Sequence, residues 1–362
     1  MAITFADVEK VYGKWLKLSH DQDILRIIFA TILANRYDGD RVWIILTGPP
    51  GSGKTALVNG PSESDECYAI SALTPAALAS GSTGTSFLDE VNNKIMIVRD
   101  MSSIASMPLE SKSQLYSFLR DAYDGKFSRV TGRSATPIVW EGKFGFIGCS
   151  TPAAVDKDVT QNQELGERFL IVRLNIEESQ IESIVRMKYK LSMEKSSMKE
   201  ELSEISQAFL HEFIPMDITM PDHLENEIIE LAMAIAAMRS GVSRDRQTRE
   251  IDLSVDDTRE IPTRLCGQLT SLSVGLIALG TNKKELLRVL RRATRDTVPI
   301  NRSRIIKSII RGNVNAQTIS KDMKISSTTI NREIESLDHL NVIGKSSGSV
   351  FIKNPVVLKI FS

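Results

Sequence analysis

Gly48-Pro49-Pro50-Gly51-Ser52-Gly53-Lys54-Thr55 matches G-x-x-x-x-G-K-[ST] at every constrained position. The apolar run 42–46 precedes it and suits a strand buried on both faces of a parallel sheet. A helix is expected to begin at about Lys54. Each residue type has a physical reason. Glycines let the backbone curl so that amides point inward at an anion. The start of the helix adds partial positive charge. Lys54 can reach the outer phosphates of a nucleoside triphosphate, and the Thr55 hydroxyl can ligate Mg²⁺. Residues 48–56, ending at Ala56, therefore form the expected cradle for ATP and Mg²⁺, with Lys54 as its catalytic charge. The plain alternative is a Gly/Pro-rich loop with an incidental lysine.

Residues 95–98, 144–149 and 169–174 are three more buried-strand candidates, and 109–123 reads as a helix. Strands alternating with helices place the chain in the α/β class with a largely parallel sheet. Asp100 ends the second strand, where an acid can hold Mg²⁺. Met101 follows it, so the acid that orients attacking water must come from elsewhere. Glu90, Asp121 and Asp124 are the candidates. Residues 126–141 read as a β-hairpin around Thr131-Gly132-Arg133-Ser134. Helices are expected within 5–37, and again at 181–213, 223–238, 261–279 and 283–297. The polar stretch 240–260 reads as a mobile loop, and the chain is expected to finish in β-type residues.

The 362 residues carry 45 Lys and Arg against 45 Asp and Glu, a formal net charge of zero. That balance hides an asymmetry: residues 283–362 hold 16 Lys and Arg against 6 Asp and Glu. A basic end in a neutral chain is expected to meet a polyanion. No run approaches the roughly 20 apolar residues a membrane helix needs, and the first residues carry no basic start before an apolar run, so no secretory signal is expected. Cys67, Cys149 and Cys266 are few and scattered, which fits a reducing, cytoplasmic setting.

In its order of elements the chain resembles the AAA+ ATPases, most of all the pre-sensor-1 β-hairpin group that includes minichromosome maintenance helicases. More narrowly it resembles the MCM-like ATPases of phages and mobile elements, over roughly residues 5–360. The resemblance implies an N-terminal helical segment over 1–40, an α/β ATPase core over 41–176, a helical lid over 177–298 and a winged-helix domain over 299–362. Thr151 would stand at the sensor 1 position, where the family usually has Asn. Arg168, in Leu165-Gly166-Glu167-Arg168, would be the arginine finger that reaches a neighbouring copy's ATP. Arg264 would be the sensor 2 arginine on the γ-phosphate, and Arg173 is either part of this machinery or a salt-bridge residue. The hairpin would enter a central pore, where Lys126, Arg129 and Arg133 meet DNA phosphates. A ring of copies, six by analogy, would work on single-stranded or forked DNA, with a replication protein as a possible further partner.

Residues 315–323 and 327–340 read as two helices around the turn 324–326, and 342–352 as two strands around a Gly/Ser turn. Helix-turn-helix followed by a β-ribbon is a winged helix. On duplex DNA, Ser327, Thr328, Asn331 and Arg332 would lead into the major groove and Lys345 would sit on the wing. Arg302, Arg304, Lys307 and Arg311 either extend that positive surface or form the solvated side of a helix. Two other readings stay open. One is a slow ATP switch serving as a helicase loader or operator-binding regulator. The other is a small-molecule kinase, which leaves the hairpin and the winged helix unexplained.

Overall fold

Along β1 (Trp43–Thr47) successive side chains enter different cores. Ile44 and Leu46 join an extensive apolar core on one face, and Trp43 and Ile45 join a smaller one on the other. This period of two is what a strand buried on both faces requires. The computed structural model describes residues 3–16, 21–75, 77, 87–131, 134–155, 168–245, 247–248, 250–252 and 260–362; the side chains of 129–131 and 134–138 are outside that description.

Five described strands form one parallel sheet: β1, β2 (Cys67–Ile70), β3 (Ile95–Val98), β6 (Gly145–Ser150) and β7 (Leu170–Arg173). The order is β2-β3-β6-β1-β7, and every pairing is parallel. Between β3 and β6 an antiparallel hairpin stands apart, β4 (Lys126–Thr131) with β5 (Ser134–Glu141), as the sequence implies. β2 is an edge strand of four residues that the sequence reading missed. Only Cys67 in it is buried, so it lacks the continuous apolar run of its neighbours.

The larger core lies under α1 (Phe5–Trp15), α2 (Gln22–Ala34) and α3 (Lys54–Asn59). The smaller one lies under α4 (Phe87–Val91), α5 (Ser102–Ala105), α6 (Leu109–Tyr123) and the hairpin. Downstream come α7 (Glu178–Lys190), α8 (Lys195–Glu212), α9 (Asp222–Arg239), α10 (Thr263–Ala278) and α11 (Lys283–Thr297). The C-terminal part holds α12 (Ile300–Ile310), α13 (Ala316–Met323), α14 (Ser327–His339), β8 (Ile343–Ser346), β9 (Ser349–Ile352) and α15 (Pro355–Phe361). A two-residue turn joins β8 to β9, with Ser347 and Gly348 both at positive φ, as a tight hairpin demands.

β7 would be an exposed edge, but α11 covers it. Thr297 Oγ1 accepts from the Ile171 amide and Asp296 Oδ2 from the Arg173 amide, both at 3.0 Å. Side chains thus supply the acceptors that a neighbouring strand would give. Burial raises the Asp296 carboxyl above its ordinary range, and the Arg292 guanidinium opposes that. Arg173 is buried here, donating to the Asp296 and Val298 carbonyls, so its role is to hold this edge.

Part of the basic end of the chain is paired within the molecule. Arg288 pairs with Asp23, Arg291 with Glu227, Arg292 with Asp21 and Lys359 with Glu230. These pairs tie α11 and α15 to α2 and α9. Arg302 belongs to neither environment expected of it. It is buried, donating to the Met238 and Ser240 carbonyls at 2.9 and 2.7 Å and pairing with Glu333 at 2.9 Å. Arg304 donates to the Met323 carbonyl and Arg311 pairs with Asp322.

Much of the stretch expected to be a mobile loop, residues 246, 249 and 253–259, lies outside the described residues. Around it, Arg239 and Glu260 form a buried pair, Arg244 bridges to Ile251, and Asp245 accepts the amides of Gln247 and Thr248. One more expectation is corrected: the chain ends in a helix, not a strand. Asn354 caps α15 by accepting from the Val356 amide, and Pro355 opens it, a start signal that Asn-Pro carries in sequence. No helix among the described residues is long and apolar enough to cross a membrane.

Two glycines test this packing. A Cβ on Gly275 of α10 would overlap the Ala30 carbonyl of α2, while one on Gly13 of α1 would meet nothing within 4 Å. Gly275→Ala is expected to lower stability by about 1–3 kcal/mol, and Gly13→Ala to raise it by about 0.5–1 kcal/mol. Urea unfolding midpoints check both.

Candidate functional site

The chain leaves β1 for the far edge strand β2, then returns through β3 and β6 and passes β1 to β7. The connections that leave the neighbouring strands β1 and β6 thus run in opposite directions along the sheet, and the crevice outside such a switch point is where open parallel sheets bind ligands. The loop 48–55 occupies that crevice. Gly51 and Gly53 have φ of +79° and +90°, conformations in which a Cβ is strained. A Cβ on Gly48 would lie 2.9 Å from Leu174 Cβ, so the loop is seated tightly against the end of β7. Lys54 Nζ folds over the loop, donating to the Gly48 carbonyl at 2.7 Å, the Pro49 carbonyl at 2.9 Å and Ser52 Oγ at 3.2 Å. Burial holds the Lys54 ammonium below its ordinary range, opposed by Asp100 among others. Burial also pushes the neighbouring Cys149 thiol up to about 12, so it stays protonated at neutral pH and leaves the lysine's charge intact.

The helix expected to begin at about Lys54 does so, with Lys54 and Thr55 as its first residues, and it is short. α3 stops after six residues, because Pro61 begins a separate 3-10 turn. A Cβ on Gly60 would overlap the Tyr12 hydroxyl and crowd Ser206 Oγ, so the chain turns where it meets α1 and α8. Thr47 Oγ1, just below the loop, and Asn59 Oδ1 on α3 are buried without a hydrogen-bond partner among the described residues. The Thr47 hydroxyl can donate or accept, whereas the Asn59 Oδ1 can only accept.

β6 lies between β1 and β3, so its end falls between the loop and Asp100. The Gly48 amide donates to the Ser150 carbonyl at 3.4 Å and the Met101 amide to the Cys149 carbonyl at 2.8 Å. Thr151 follows directly. Asp100 is exposed, and its Oδ1 accepts from the Ser102 amide at 2.8 Å. A Thr hydroxyl and a carboxylate are hard oxygen donors suited to Mg²⁺. Met101 is buried over Gly148, so position 101 points into the core. The other acids considered do not reach this edge. Glu90 lies just before the start of β3, and Asp121 and Asp124 lie where α6 meets the hairpin.

Two cavities share Gly51, Ser52, Gly53 and Ala56 of the loop. One, of about 670 Å³, is lined by Lys54, Thr55 and Asn59 and reaches α8. The other, of about 340 Å³, is apolar, walled by Trp15, Leu16, Ile24, Leu57, Ile176 and Ile184. Side by side they suit a ligand with an anionic part and an apolar ring. Sequence reasoning missed the apolar half, whose walls come from segments far apart in the chain.

Arg168 and Arg264 lie at the opposite edge of the sheet. Arg168 precedes Leu170, which pairs with Ile44 near the start of β1, whereas the loop leaves β1 after Thr47. At about 3.3 Å per residue the two edges are roughly 15–20 Å apart. Both arginines face Asp124, at 2.9 Å from Arg168 and 3.7 Å from Arg264. The Arg168 side chain is 3% exposed and that of Arg264 42%. Burial lowers the Arg168 guanidinium below its ordinary range and Asp124 opposes this. Gln268 joins the cluster, donating to the Tyr123 hydroxyl and the Arg168 carbonyl, each at 2.8 Å. Within one chain neither arginine reaches the phosphate loop.

The hairpin projects from this same edge. Lys126 stands at its base, not its tip, paired across the strands with Glu141 at 3.0 Å. The Arg129 backbone pairs with Ile138, but its side chain, and Arg133 entirely, lie outside the described residues. In α14, Ser327, Thr328, Asn331 and Arg332 are all exposed. Arg244 lies against the same face of that helix, pairing with Glu335, one turn on from Asn331, and donating to the Arg332 carbonyl at 2.8 Å. Lys345 is exposed on β8, 3.7 Å from Asp338.

Loop geometry can be tested without a ligand. Gly53→Ala meets no atom within 4 Å, yet its φ of +90° is strained for alanine. It is expected to cost about 1–2 kcal/mol, read as a lower urea midpoint. Neither the protein-family models nor the curated proteins contain a match to this chain.

Proposed function

We propose that the chain is an ATPase of the AAA+ type that acts on DNA as a ring of copies. The observation that carries this reading is the loop 48–55 at the end of β1, with Asp100 and Thr151 on the neighbouring strand ends. Loop amides and Lys54 would hold the phosphates, and Thr55 and Asp100 would hold Mg²⁺, which supplies charge neutralisation at the phosphates. The apolar cavity would take the base. Thr151 would hydrogen-bond the γ-phosphate or the attacking water. The arginine edge of one copy would meet the phosphate edge of the next, a head-to-tail contact that closes into a ring. Arg264 is the accessible arginine there, and Arg168 stands behind it on Asp124.

The same reading gives the hairpin, with Lys126, Arg129 and Arg133, to DNA phosphates in the pore. It gives α14 and the β8–β9 ribbon, taken together as a winged helix, to duplex DNA. A slower ATP switch, loading a helicase or regulating an operator, is favoured by one observation: Met101 is buried where an acid would orient water.

Lys54→Ala is expected to abolish nucleotide binding, measured by titration with a fluorescent ATP analogue; unchanged affinity would refute the phosphate assignment. Lys54→Ala and Arg264→Ala chains, each inactive alone, are expected to regain activity when mixed. Random assembly pairs an intact loop with an intact arginine at roughly a quarter of contacts. A mixture as inactive as its components argues against sharing between copies. Changing Lys126, Arg129 and Arg133 together is expected to weaken DNA binding and flatten its salt dependence.

A further inference from the structure

Four lysines converge on the larger cavity beside the loop: Lys54, Lys188 from α7, and Lys195 and Lys199 from α8. Among the described residues no Asp or Glu lines that cavity. Ammonium groups gathered around one space repel each other unless an anion is among them, and a low-dielectric wall focuses their field. Lys188 also lines the apolar cavity, so it stands at the junction of the two.

Two features of the surrounding helices point the same way. α8 is 18 residues long, and its N-cap Glu194 makes no side-chain hydrogen bond to it. Its first turn, with Lys195 and Ser196, faces the cavity and Lys199 follows in the second, adding the positive end of a long helix to the lysines. α7 has no buried residue along its 13. A helix of that length is marginal without tertiary packing. Its inner side chains, Ile184 and Met187, line the apolar cavity, so a molecule filling that space would give α7 the packing it lacks.

We propose that Lys188, Lys195 and Lys199 form a second half of the phosphate site within the same chain. They face the loop across the cavity and bind the outer phosphates of a nucleoside triphosphate, which makes α7 and α8 discriminate triphosphate from diphosphate. The proposal rests on the ATP reading above and adds the residues that count phosphates.

The test is competitive titration of a fluorescent ATP analogue by ATP, ADP and AMP at two salt concentrations. Wild type is compared with K188Q/K195Q/K199Q and with the matching triple arginine variant. All three lysines are solvent-facing, so folding is preserved, and circular dichroism melting checks it. The glutamine variant is expected to lose ATP affinity on the order of 10–100-fold, to lose much less for ADP, and to leave AMP unchanged. Its salt dependence for ATP should flatten, and the arginine variant should retain the wild-type preference. A glutamine variant that keeps the wild-type ATP-to-ADP ratio overturns the proposal and leaves the ATP reading standing. A wild-type protein that binds none of the three nucleotides overturns both.

Discussion

All five described sheet strands run in one direction, and that polarity governs where every other group can act. Each strand's exit lies on one edge and each strand's entry on the other. The loop 48–55, Asp100 and Thr151 follow strand ends and share the exit edge. Arg168 precedes a strand, while Asp124 and the hairpin precede another, so they share the entry edge. A parallel sheet thereby separates the phosphate cradle from the arginines by the length of its strands. No side-chain rotation can close a gap of roughly 15–20 Å. If the arginines act on a phosphate, the phosphate belongs to another copy. In the proposed head-to-tail ring, the separation that keeps these groups apart within one chain would bring them together between chains.

The C-terminal helices are joined to the core by charge as well as by apolar packing. Asp21 and Asp23 at the start of α2 hold Arg292 and Arg288, and α9 supplies Glu227 and Glu230. Asp21 also lines the apolar cavity. Arg292 links it to Asp296, whose carboxylate accepts the Arg173 amide at the edge of β7. A chain of buried and part-buried hydrogen bonds therefore runs from the cavity wall through α11 to the edge of β7. Taking away one partner would leave a buried charge uncompensated, which costs more than the intact pair contributes. Four of the basic side chains in 283–362 thus mark where α11 and α15 dock on α2 and α9.

What the sequence made legible was what is local. The glycine-lysine loop, the apolar strands and the hairpin announce themselves within a dozen residues, because backbone sterics and side-chain period act at that range. β2 escaped because an edge strand of four residues buries too little to leave a run. α15 escaped because valine-rich composition outweighed the Asn354-Pro355 start signal. The apolar cavity could not be read at all: Trp15, Ile24, Leu57 and Ile184 become neighbours only after folding. Arg302 shows the same limit. A lone arginine in a basic stretch gives no sign that two helix-end carbonyls and Glu333 will enclose it.

Two departures from the simplest phosphate-loop scheme have a common consequence. α3 is six residues long, so few peptide dipoles add behind the loop, and Met101 takes into the core the position next to Asp100. Both reduce what the exit edge offers a triphosphate. Holding the phosphates and activating water are separate tasks, and the surrounding charges divide along the same line. Lysines from α7 and α8 lie on the cavity within the chain and can offset a weak helix end, but a cation cannot serve as a general base. On the proposed ATPase reading, water activation would depend on Thr151, or on an acid brought by another molecule. Binding strength and turnover would then be controlled from different places, and tight, phosphate-sensitive binding with slow turnover is the behaviour that proposal expects of an isolated chain.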